Sequence, residues 1–149
     1  MPFLATGTAI EAFVDALIAY LRADATLVAL VTGIYGHVPE AARTAFPYVR
    51  LSSPSFDQQD FGGMGVGGGR LTLEVDAWSN AKGPHAIRVI MARIKVLLMR
   101  ADLVVVGHHM AGGSLVTTDD RDFDEPDPDM PEQRLYRGHQ TWEALIEEA

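Results

Sequence analysis

The chemistry-bearing residues of this 149-residue chain are five histidines, twenty acids, a run of glycines and scattered serines. Gly63, Gly65 and Gly68 make a G-x-G-x-x-G match, a spacing that lets a backbone approach a dinucleotide pyrophosphate. That mechanism needs a helix N-terminus after the glycines. Here an alternating segment from Arg70 to Ala77 follows, and no Gly-Lys-Ser/Thr supplies a phosphate-binding lysine, so no cofactor is expected. His108 and His109 are adjacent, and on a strand neighbouring side chains point to opposite faces, which prevents them chelating one ion. His37, His85 and His139 lie in separate segments without an H-E-x-x-H pattern, so no metal is expected either. The acidic stretch from Asp119 to Asp129 has oxygen ligands suited to calcium. It lacks the glycine and closing glutamate of an EF-hand loop, and Pro126 and Pro128 stiffen it. Ser52, Ser53, Ser55, Ser79 and Ser114 are candidate nucleophiles by type alone, with no G-x-S-x-G elbow to activate one, and no catalytic residue is assigned.

These residues must be positioned by elements readable from periodicity. Ile10, Phe13, Val14, Leu17, Ile18 and Leu21 recur at helical spacing and predict an amphipathic helix from Thr8, its N-cap, to Arg22. Leu27 to Val31 predicts a brief helix after Asp24, ended by Gly33. Short strands follow at Ile34–Val38 and Pro47–Ser52, with a loop from Pro39 to Ala45 between them. The glycines between Phe56 and Arg70 leave little side chain to pack, which predicts a mobile loop over about 57–69. Leu71, Leu73, Val75 and Ala77 alternate with polar residues as a half-buried strand does, and Trp78 follows. The longest helix spans Ile87 to Leu98, and strands are expected at Asp102–Met110, Ser114–Asp120 and Arg134–Ile146. The acidic, proline-broken tract of about 119–131 reads as a second loop. Trp78 and Trp142 read as core or interface aromatics. This order describes a single α+β domain over 1–149, an antiparallel sheet with helices packed on one face.

A hydrophobic fraction of 48% is enough for one core, and the absence of cysteine removes disulfides and thiolate chemistry. No apolar run is long enough to cross a membrane as a helix, and nothing resembles a leader, so synthesis in the cytoplasm is expected. The net charge of −8 disfavours a grip on a phosphate backbone.

The ordered segments Asp24-Ala25-Thr26-Leu27-Val28-Ala29-Leu30-Val31, Gly33-Ile34-Tyr35 and Phe46-Pro47-Tyr48-Val49 resemble the phage tail completion, or tail terminator, family. So do Val75-Asp76-Ala77-Trp78-Ser79, Leu103–His108, Arg121-Asp122 and Tyr136-Arg137-Gly138. The glycine-rich insert of 61–69 and the 124–131 tract depart from the compact pattern.

The resemblance implies a non-enzymatic virion protein of a siphovirus-like particle or gene transfer agent. It would close into a ring of copies of itself, typically six, on the tail tube protein, end tail growth and present a face to a head-closure or connector protein. DNA would be passing cargo only. Six copies at −8 would carry about −48 formal charges, and an acidic lumen would let DNA slide. Interface residues expected on this reading are Asp57, Gln58, Gln59, Asp60, Phe61 and Met64 in the glycine-rich region, and Asp119, Asp120, Arg121 and Asp122 in the acidic one. A head-closure, neck or minor tail subunit would share this logic. From another class, a small-ligand binding domain or hydrolase would need a convergent polar pocket.

Overall fold

The computed structural model describes residues 6–61, 66–101, 104–105, 108–126 and 134–148. Helix α1 (Thr6–Arg22) is followed by α2 (Ala25–Leu30), strand β1 (Gly33–Tyr35), a 3-10 turn (Glu40–Ala42), β2 (Tyr48–Phe61) and β3 (Val66–Ser79). Helix α3 (His85–Met99), the two-residue β4 (Val104–Val105), β5 (His108–Pro126) and β6 (Arg134–Glu148) complete the chain. The six strands form one sheet in the order β1-β2-β3-β6-β5-β4. All pairs are antiparallel except β1 with β2, whose parallel pairing covers only Gly33↔Tyr48 to Tyr35↔Arg50. The α+β class stands, and the sheet is mixed by that one short pair.

Alternation on the strands decides which side the helices cover. Val49 and Leu51 of β2, Leu71, Leu73, Val75 and Ala77 of β3, and Trp142, Ala144 and Ile146 of β6 are buried in one cluster. Phe13, Leu17 and Leu21 of α1 and Ile87, Ile90, Ile94 and Leu98 of α3 belong to the same cluster. The Tyr20 hydroxyl donates to the Leu97 carbonyl at 2.7 Å and ties α1 to α3. Gln140, fully buried, donates through Nε2 to the Met91 carbonyl at 3.0 Å and accepts from Trp142 Nε1 at 3.0 Å, so α3 is pinned to β6 by a satisfied polar link. Gly138 lies under the same helix: a Cβ there would sit 2.3 Å from Met91 Cγ and 3.1 Å from Ile87 Cγ2, so only glycine lets α3 come this close. The Asp24 carboxylate accepts from the Leu27 amide at 2.8 Å as the N-cap of α2, and Arg93 of α3 grips its two oxygens at 2.9 and 2.7 Å. Bonding to Arg93, then to the Leu27 amide, holds the Asp24 pKa below the usual value.

Several boundaries differ from the sequence expectation. Helix α1 runs from Thr6, so Thr8 is inside the helix and is not its N-cap. Helix α2 ends at Leu30 with an extended Val31, and Gly33 already belongs to β1. The stretch expected as a mobile loop over 57–69 is strand at 57–61 and 66–69: Asp57↔Arg70 through Phe61↔Val66 continue the β2–β3 ladder. Gly68 and Gly69 also pair with Glu147 and Ile146 of β6. Hydrogen-bonding strands on both sides hold these glycines, which side-chain packing would not. The acidic tract is likewise strand through Pro126, because β6 pairs it residue by residue from Asp119↔Thr141 to Pro126↔Arg134. Basic side chains offset its charge: Lys95–Asp120 at 3.1 Å, Arg88–Asp122 at 3.1 Å and Arg134–Asp124 at 2.6 Å. The two strands expected at Asp102–Met110 and Ser114–Asp120 become β4 and a single β5, with irregular register between Ala111 and Val116 and between Thr117 and Asp119.

Candidate interaction face

The side of the sheet away from the helices is built in rows across four strands. Register aligns Tyr48, Trp78, Arg137 and Phe123, then Arg50, Asp76, His139 and Arg121, then Ser52, Glu74, Thr141 and Asp119. The first row is a ladder of rings and guanidiniums. Tyr48 stacks on Phe46 at 5.5 Å and on Trp78 at 5.3 Å. Arg50 and Arg137 lie over the Trp78 ring at 5.1 and 5.8 Å, and Arg137 and Arg121 lie over Phe123 at 5.3 and 5.0 Å. Such contacts contribute about 0.5–1 kcal/mol each at exposed sites. Burial raises the Tyr48 phenol pKa, against the pull of Arg50 and Arg43.

The second row holds a buried polar knot. Asp76 is 2% exposed and His139 5%. His139 Nδ1 lies 2.7 Å from Asp76 Oδ1, which also accepts from Arg137 Nε at 3.2 Å. His139 Nε2 lies 3.2 Å from Thr141 Oγ1 and 3.8 Å from Asp119 Oδ2. Thr141, His139 and Asp76 therefore stand in the order of a nucleophile, base and orienting acid. Acyl transfer also needs free backbone amides to hold an oxyanion. Thr141 lies mid-ladder, paired with Glu74 on one side and Asp119 on the other, so the surrounding backbone is committed to the sheet.

Where the short β1 stops, a cleft of about 670 Å³ opens between α1 and β2. Ile10, Glu11, Val14 and Asp15 form one wall, Leu51, Ser52 and Pro54 the other, with Arg43, Arg50 and Trp78 at its rim. Arg50 Nε and Ser52 Oγ are buried at this edge without a hydrogen-bond partner in the described structure.

The expected interface residues are split by the fold. Asp57, Gln58, Gln59, Asp60 and Phe61 are consecutive on β2, and Met64 lies outside the described residues. Asp119 and Arg121, joined at 3.0 Å, belong to the open face, while Asp120 and Asp122 reach to α3 on the other side. Trp142 is core and Trp78 is part of the open ladder. That Tyr48, Arg50, Asp76, Arg137 and His139 share a face is not legible in the sequence, because nothing local says so; the aromatic-plus-arginine content of Tyr48-Val49-Arg50 and Tyr136-Arg137 is the one signal there. His37 lines the cleft and His85 opens α3, and no group of three or more metal-binding side chains occurs among the described residues.

Residues 15–147 match the family model of tail completion protein gp17. The chain belongs to that family. Its place is therefore the virion tail, as a structural component of a phage tail. One similar solved chain comes from the virion of a native gene transfer agent particle; it shares 23% identity, the match covers 96% of this chain and 99% of that one, and the TM-score is 0.76. At that identity the likeness speaks for the fold. No functionally curated protein matches the sequence.

Proposed function

We propose that this tail completion protein works without bond-making chemistry, as a ring of identical subunits, six in the favoured form, that caps the tail tube and forms the joint to the head. The observation that carries this reading is the open face, where Trp, Tyr, Phe and Arg side chains concentrate in a row across four strands. Those residue types dominate the energetics of protein interfaces. The tail tube protein and a head-closure or connector protein are its partners on this reading, and DNA passes through without being gripped. The net charge of −8 per copy supports that last point, since a ring of such subunits repels phosphate on balance.

Electron microscopy of particles made without this gene tests the role. Overlong or unattached tails beside DNA-filled heads are expected; infectious particles of normal tail length would end the proposal. The Thr141–His139–Asp76 order is the one observation favouring a hydrolase. Thr141→Val keeps the shape and removes the hydroxyl, and normal particle yield from it would dispose of that alternative.

A further inference from the structure

Two features of the helix side are left unused by the fold. One is the cleft between α1 and β2. The other is a stripe on the outer surface of α3, where Val89 (38% exposed), Ala92, Val96 (39%) and Met99 (54%) follow one another at spacings of three, four and three residues. That is the spacing of a seam that seats against another element. Arg93 and Arg100 flank the stripe on one side and Arg88 and Lys95 on the other, the latter pair bridged to Asp122 and Asp120 of β5.

We propose that in the ring the α3 stripe of one copy seats in the α1–β2 cleft of the next; this contact rests on the ring reading and specifies it. Two complementarities support it. A convex apolar stripe meets a concave wall that contains Ile10, Val14 and Leu51. The α1 wall carries Glu11 and Asp15, which face Arg100 on one flank of the stripe, where Arg93 is already held by Asp24; the opposite rim meets a flank whose Arg88 and Lys95 are neutralised by Asp122 and Asp120. The two surfaces are different parts of one chain, which is what a head-to-tail ring requires and a two-fold dimer does not. Because each copy carries −8, association depends on bringing opposite charges together locally.

The chain has no cysteine, so engineered thiols report unambiguously. Single variants Val14→Cys and Val96→Cys, mixed and oxidised under conditions where the parent chain assembles, should give the heterodimeric disulfide, which forms only when Cα atoms come within about 7 Å. Val14→Cys mixed with Leu145→Cys, on the open face, should give little. Independently, the double change Glu11→Arg with Asp15→Arg should weaken assembly about tenfold or more, as should Arg100→Glu, and combining them should restore much of it. Native mass spectrometry reads the assemblies. Rings that persist without the Val14–Val96 disulfide and without response to charge reversal would overturn this contact while leaving the ring reading intact. Cross-linking to Leu145→Cys in its place would assign the joint to the open face and overturn it too. A parent chain that stays monomeric at every concentration and on added tail tubes would remove the ring reading, and this contact with it.

Discussion

On the helix side of the sheet, Leu71, Leu73, Val75 and Ile146 are buried by apolar area alone, whereas on the open side Asp76 and His139 are as deeply buried through specific partners. The first kind of burial is non-directional and tolerates exchange of shape for similar shape. The second is directional: remove one partner and the others keep their desolvation penalty without its compensation. One sheet thus has a face that holds the domain together by apolar area and a face ordered by directional contacts, which carries the arginine and aromatic row.

The sharpest way to break this comparison is to truncate the largest side chain on each face. Trp142→Ala should cost about 3–5 kcal/mol in denaturant unfolding, from lost burial and the cavity left behind, with a further loss from the stranded Gln140 carbonyl. Trp78→Ala should cost less, about 1.5–3 kcal/mol, yet impair assembly into particles, since its ring carries Tyr48, Arg50 and Arg137. Equal losses of stability at the two positions would show that the faces do not differ as described.

Asp76→Ala comes next, at about 2 kcal/mol, because it leaves the His139 ring nitrogen and Arg137 without their shared acceptor. Thermal unfolding measures it, and a neutral result would mean that the polar knot is not under strict partner control. Gly138→Ala should cost about 1–3 kcal/mol by pushing Met91 and Ile87 of α3 away from β6. A stabilising effect there would contradict the close approach.

The smallest effect is electrostatic. The folded pKa of Asp24 is lowered, so its ionised form contributes stability that is fully present above the ordinary carboxylate range, about pH 3.9, and is lost as pH falls through the lowered folded value. Asp24→Asn should reduce stability at neutral pH and flatten the acid limb of the unfolding curve below about pH 4. An unchanged acid limb would assign the acid loss to other carboxylates.

The helices, the strand from Leu71 and the last strand were legible from periodicity, and Trp142 stands in the core as its apolar neighbours imply. Those signals are local: a period of 3.6 or 2 and a capping residue act within a few positions of themselves. Residues 57–61, 66–69 and 119–126 are strand where the sequence predicts loop, because their order comes from partners far along the chain, and 62–65 and 127–131 lie outside the described residues. Gly68 is held by Gln59 and Glu147, and Asp122 by Gly138 in the ladder and Arg88 across the sheet. The sequence by itself determined the class of the fold, the apolar face of each main element and, through ordered short motifs, the family. Tertiary structure alone decided that Tyr48, Trp78, Arg137 and Phe123 stand in one row, because strand register is a property of paired chains and no single strand specifies its neighbour.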